Sequence, residues 1–231
     1  MNESLQPRFG QTLDGGYAAG RQRVLRNTYW LLALSMVPTV LGAWIGVSTG
    51  ILATMSMGMS TLLFFVGAFG LMFLVEKTKD SGAGVAALLA FTFFMGLMLS
   101  RLLAAVLGFK NGASLIMMAF GGTGAIFFAM ASLATVIKRD LSSMGKFLFI
   151  GAVILMVAGI ANIFLHSTAL MLSVMVLAMA VFSAFMLFDI KRVIDGGETN
   201  YISATLAIYL DLYNVFQSLL SLLGIFGGER D

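Results

Sequence analysis

The sequence predicts an all-α membrane protein, a single bundle of seven transmembrane helices, and three observations carry that prediction. Of 231 residues, 59% are apolar and only 11% are charged, and mean hydropathy is +0.97. A soluble domain is nearer a quarter charged, and a globule of this size leaves too much surface in water to hide so much apolar material. Soluble, collagenous and disordered classes are therefore excluded. The apolar residues also fall into seven continuous runs, each close to the roughly 20 residues that a helix needs to cross hydrocarbon. They lack the short, alternating pattern of a transmembrane β-barrel. Finally, the basic residues cluster after alternate runs.

Residues 1–28 read as a polar N-terminal tail with Arg8, Arg21, Arg23 and Arg26, and without the apolar centre of a cleavable signal peptide. Residues 29–231 read as the bundle. Its spans are placed at Tyr29–Thr49, Ile51–Val75, Ala83–Gly108, Ser114–Ile137, Phe147–His166, Ala169–Phe188 and Ile202–Phe226. Spans five and six share one stretch, Phe147 to Phe188, that lacks Asp, Glu, Lys and Arg. Its length fits two crossings joined by a tight turn at His166, Ser167 and Thr168. Lys77 and Lys79 follow span two, Lys138, Arg139 and Lys146 follow span four, and Lys191 and Arg192 follow span six. With the tail arginines these share one side, and the other side holds Arg101, Lys110 and Arg230. The positive-inside rule then predicts a cytoplasmic N-terminus and an external C-terminus. Cysteine is absent, which excludes disulfides, thiolate metal sites and cysteine nucleophiles. A net charge of +3 is too small for a nucleic-acid footprint, so no nucleic-acid partner is expected.

An ionisable group inside a span is costly and usually faces a bundle interior or a cavity. Asp211 lies near the middle of span seven. Asn200, Ser203, Ala207, Asp211, Asn214, Ser218 and Ser221 follow spacings of 3, 4, 4, 3, 4 and 3, which is one helical face. A last helix with such a polar stripe is expected to be surrounded by the others. The stripe reads either as polar glue between helices or as a protonatable or ion-contacting site. Asp189 is the second exception. Nothing breaks helix six before Gly196 and Gly197, so it continues past the hydrocarbon edge. Asp189 and Asp211 then lie within about 5 Å of the same depth on antiparallel neighbours. Two rotations of helix six stay open: Asp189 meets Asp211, or it pairs with Arg192 at i,i+3. Carboxylates that meet in a poorly solvated site share a proton. A divalent cation such as Ca²⁺ can replace that proton. The pair is thus a candidate pH sensor and cation site, and no resident cofactor is expected.

Weaker signals stand beside these. Glu76 and Lys77 end span two as interfacial anchors that could reach the carboxylates. Arg101 reads as a snorkelling side chain. His166, after Asn162 at i+4, cannot make a metal site alone. Gly121, Gly122, Gly124, Gly151 and Gly159 read as close-packing positions. The Gly-Gly-Thr-Gly run at 121–124 lacks the preceding strand of a dinucleotide site.

The segment from Phe188 to Leu223, FDIKRVIDGGETNYISATLAIYLDLYNVFQSLLSLL, resembles the C-terminal signature of the Bax inhibitor-1 (transmembrane Bax inhibitor motif) family. GGETNYI at Gly196–Ile202 and VLRNTYWLL at Val24–Leu32 are similar to its bacterial YccA-like branch. The resemblance implies six helices around a central seventh, and a periplasmic C-terminus in the bacterial inner membrane. It implies a pH-sensitive Ca²⁺ leak controlled by an aspartate pair, matched here by Asp189 in the FD of helix six and Asp211 in IYLD. Channel-like members latch that pair with a basic residue near the cytoplasmic end of helix two. The matching position here is Glu76, with Lys77 next to it, so either Lys77 takes over or the latch is absent; Arg192 is a further candidate. The YccA-like branch implies instead binding and modulation of the membrane-bound protease FtsH, with the polar tail as a contact.

Three functions follow as expectations: a pH-gated cation leak channel, a modulator of FtsH, and an intramembrane aspartyl protease. The residues argue against the third. Its Gly-x-Gly-Asp pattern is replaced by Ile208-Tyr209-Leu210-Asp211, and a Pro-Ala-Leu element is missing because the prolines are Pro7 and Pro38. No Gly-x-Ser-Gly of a rhomboid-type serine protease occurs either. The expected protein is therefore not an enzyme.

Overall fold

A computed structural model describes residues 6–229, with side chains from residue 19 onward. Arg8, Pro7 and Arg230 lie outside the described side chains. The described residues form seven helices and no strand: α1 (Gln6–Thr49), α2 (Met57–Thr78), α3 (Gly82–Leu107), α4 (Gly112–Val136), α5 (Met144–Leu165), α6 (Thr168–Ile194) and α7 (Tyr201–Gly227). Each is long and apolar enough to span a membrane. Large side chains such as Trp30, Trp44, Phe73, Phe128, Phe147 and Phe164 point outward. Hydrocarbon tolerates such a surface and water does not.

Local chemistry explains where the helices depart from the expected spans. α1 runs unbroken from Gln6 through residue 28 into the first span, so the polar segment and the span form one rod. Gly50, at φ +63°, ends α1, and Ile51–Met55 turns instead of starting the next span. α2 begins only after Ser56, whose Oγ accepts the Met59 N–H at 3.3 Å. Span two thus starts six residues later than hydropathy alone implies. The tight turn between α5 and α6 forms as expected. His166 adopts a left-handed conformation at φ +50°, and Asn162 Oδ1 accepts the Ser167 N–H at 3.0 Å. α6 passes the hydrocarbon edge and ends at Ile194, before Gly196 at φ +81°.

α7 lies at the heart of the bundle. The most apolar window of α7 is 50% buried, against 6% for α5. α1, α2, α3, α4 and α6 approach α7, whereas α5 lies against α6 alone among the described residues. Five of the six expected neighbours thus reach α7 among the described residues, and α5 does not. Phe91, Met95, Met186, Ile190, Ile208 and Val215 pack the centre. α1 and α3 approach closely at glycines: a side chain on Gly42 would collide with the Phe93 carbonyl, and one on Gly96 with the Thr39 carbonyl. Of the glycines expected to allow packing, Gly122 faces Leu219 of α7 and Gly151 touches Val181. Gly121, Gly124 and Gly159 face open space. The close-packing role belongs to the α1–α3 crossing instead.

Candidate functional site

α6 and α7 bring the two predicted aspartates together. Because no residue breaks α6 at Phe188, the helix carries Asp189 onward along α7. Asn200 sets the start of α7 by accepting the N–H groups of Ile202 and Ser203 at 2.9 and 3.2 Å, a side-chain N-cap. The Asp189 and Asp211 carboxyls lie beside each other, close enough to interact. Ionised carboxylates have no proton to donate, so a hydrogen bond between the two would require one shared proton. Asp211 is only 3% exposed, and its Oδ2 has no hydrogen-bond partner. Asp189 is half-buried and lies in the field of Arg192 and Glu198.

The other candidates form a shell toward the loops. Arg192 donates from Nη2 to Glu198 Oε2 at 3.0 Å and from Nε to the Gly197 carbonyl at 3.4 Å. The i,i+3 ion pair with Asp189 does not form among the described residues, because Arg192 turns to the loop. Its charge still acts on Asp189 and on Glu76. Glu76 Oε1 accepts the Ser203 hydroxyl at 2.8 Å, which ties α2 to α7, and Oε2 accepts Lys79 Nζ at 2.8 Å. That bond to Glu76 holds the Lys79 ammonium above the usual lysine range. Lys77 is exposed. Among the described residues, no hydrogen bond joins Glu76 or Lys77 to either aspartate. Asn200 Nδ2 reaches the Lys79 carbonyl at 3.1 Å and Asp80 Oδ1 at 3.0 Å. The loops after α2 and α6 are thus stitched at one end.

The polar stripe of α7 divides along its length. Asn200 and Ser203 cross to other elements. Asn214 donates back to the Leu210 carbonyl at 2.8 Å, and Ser221 to the Gln217 carbonyl at 2.7 Å. Ser218 is buried. The side-chain bonds that tie α7 to α1 and α3 lie elsewhere on the helix and were not anticipated. Tyr209 Oη shares a 2.9 Å bond with Thr39 Oγ1 and lies 3.4 Å from the Thr92 carbonyl. Tyr213 Oη donates to the Met95 carbonyl at 3.3 Å, and Thr205 Oγ1, which donates to the Tyr201 carbonyl at 2.6 Å, lies 3.3 Å from the Thr28 carbonyl. The i,i+4 series Thr205, Tyr209, Tyr213 was the available signal.

No group of three or more His, Cys, Asp or Glu that could hold a metal occurs among the described residues. Ca²⁺ takes six to eight oxygen ligands, and the two aspartates offer at most four. Arg101 is exposed and donates to Ser60 Oγ at 3.2 Å. His166 caps α5 through its backbone N–H, bonded to the Asn162 carbonyl.

Residues 21–228 match the family described as "Inhibitor of apoptosis-promoting Bax1". The chain is 39% identical over 202 residues to "Modulator of FtsH protease YccA" of Escherichia coli (strain K12), covering 87% of this chain and 90% of that protein. The same identity and coverage hold for "Inner membrane protein YccA" of Escherichia coli O6:H1. A membrane protein of Vibrio cholerae is 38% identical over 223 residues, covering 95% of this chain and 96% of its own. The family match runs from Arg21 to Gly228 and takes in both aspartates. The chain accordingly belongs to the Bax inhibitor family.

Proposed function

We propose that this chain forms a proton-sensitive cation leak path in the inner membrane, governed by Asp189 and Asp211. The observation that carries the reading is the buried, unpartnered Oδ2 of Asp211 beside a second carboxyl. Charge at this depth is expensive, and one shared proton removes one of two negative charges. Loss of the proton leaves like charges in contact, so α6 and α7 separate or a cation takes the proton's place. The positive-inside rule puts the loops after α2 and α6 in the cytoplasm, so the pair reads cytoplasmic pH. Arg192 is the cation nearest in effect to the pair and serves as the latch from α6. Lys77, the candidate latch at the end of helix two, is exposed, and Glu76 pairs with Lys79. The test is Ca²⁺ flux into vesicles across a pH series. Wild-type flux is expected to vary with pH, and Asp189→Asn and Asp211→Asn to flatten that dependence. Wild-type flux no greater than that of protein-free vesicles would sink the reading.

A second function, modulation of a membrane-bound protease, is supported by the relative named "Modulator of FtsH protease YccA". Carried to this chain, the name supports FtsH as a partner. The polar segment of residues 1–28 offers the contact, because it carries Arg8, Arg21, Arg23 and Arg26 ahead of the first apolar run. Deleting residues 1–28 is expected to abolish co-purification with FtsH and leave the pH dependence of flux intact. The two activities are compatible, and the aspartate and truncation variants separate them.

A further inference from the structure

Two cavities lie away from the aspartates, on the seam between α1 and the end of α6. The outer, of about 410 Å³, is lined by Gly20, Arg21, Val24, Asp195, Gly196 and Glu198 among others. The second, of about 270 Å³, is lined by Arg21, Gln22, Leu25 and Ile194. Leu25 lies one turn further along α1 than Arg21, toward the span. Ile194 precedes Asp195 on α6, again on the span side. The second cavity therefore lies on the span side of the first, and Arg21 lines both. Together they line a groove with its charges at one mouth and Leu25 and Ile194 toward the span.

The charges at the mouth are unequally occupied. Arg21 is exposed and makes no ion pair among the described residues. Its stem crosses Gly196, where an added Cβ would sit 3.0 Å from Arg21 Cδ. Glu198 is fully engaged, with Oε2 on Arg192 and Oε1 accepting the Asn200 N–H at 2.9 Å. Asp195 Oδ1 takes Lys191 Nζ. Its side chain is still 47% exposed, which leaves Oδ2 for another donor. One available guanidinium and one half-available carboxylate thus line the same cavity.

We propose that this groove binds a zwitterionic phospholipid with a primary ammonium headgroup, of the phosphatidylethanolamine class. The phosphate sits on Arg21, since guanidinium and phosphate make charge-assisted bonds. The ammonium donates to Asp195 Oδ2, and the upper acyl carbons lie on Leu25 and Ile194. The outer volume falls within the range of small-ligand sites. A choline headgroup has no N–H for Asp195, and a purely anionic one sets no cation against it. The seam therefore prefers phosphatidylethanolamine to phosphatidylcholine and phosphatidylglycerol.

The full chain in nanodiscs of equal phosphatidylethanolamine, phosphatidylcholine and phosphatidylglycerol, released for native mass spectrometry, tests this. Retained phosphatidylethanolamine is expected to exceed each of the others about fivefold, the ratio of roughly one exposed charge-assisted bond. Asp195→Asn should erase its advantage over phosphatidylcholine, and Arg21→Gln should lower retention of all three. Ile194→Trp, which fills the second cavity and leaves both charges in place, should expel the lipid. This variant keeps the test decisive if loss of the Lys191 partner unfolds Asp195→Asn. Equal retention by wild type, a preference for phosphatidylglycerol, or retention unchanged by Ile194→Trp overturns the proposal. So does lipid binding that appears only after removal of residues 1–18, which would assign the groove to the chain's own N-terminus.

Discussion

Asp211 and Tyr209 sit two residues apart on α7 and do different work. Asparagine at 211 keeps the shape and can still donate to Asp189, so the variant is expected to fold while losing the proton-sharing bond. Phenylalanine at 209 instead removes a bond that ties α7 to α1. Polar bonds between membrane helices average about 0.6 kcal/mol and reach about 1.7. Tyr209→Phe should lower unfolding free energy in mixed micelles by that order and leave the pH profile of flux unchanged. The aspartates were legible in the sequence because a carboxylate in an apolar run has few explanations. The rotation that makes them meet was not legible, because it depends on how α6 packs against its neighbours. Nor was the turn of Arg192 toward Glu198, which the positive φ of Gly196 makes geometrically possible. Tyr209 and Tyr213 were missed because tyrosine in a span reads as apolar bulk until its hydroxyl has a partner.

The helices themselves were largely legible from hydropathy, since each run must satisfy its own backbone in lipid. The exception is instructive. Ile51 to Met55 is as apolar as a helix start, yet Gly50 and Ser56 move that start to Met57. Caps act locally and override the average over a window. Helix-to-helix contacts were less legible, because a glycine's role depends on what faces it. Gly96→Val pushes a side chain into the Thr39 carbonyl at the α1–α3 crossing. Overpacking of this kind costs about 1–3 kcal/mol, so the thermal midpoint should fall. Gly159→Val places its side chain in open space on α5 and should leave the midpoint nearly unchanged. Equal effects of the two variants would mean that the crossing does not hold the bundle together.

For the whole molecule, the distribution of arginine and lysine supports an orientation that can be read directly. A reporter that matures only outside the cytoplasm is expected to be active when fused after Gly228 and silent when fused before Gln6. The opposite result would move the aspartate pair to the other face and reverse which compartment it samples. The central position of α7 also bears on how the chain is made. Synthesis runs from the N-terminus, so the helix that fills the middle is the last to leave the ribosome. Thr205 must find Thr28, 177 positions earlier in the chain, and such distant pairings form late. Until then the earlier segments have no hub to gather round, and the glycine crossing of the first and third must hold on its own. A chain cut short after Gly197 would display an unanswered Asp189 to the membrane's quality-control machinery, which makes the final stretch of translation the period of greatest risk.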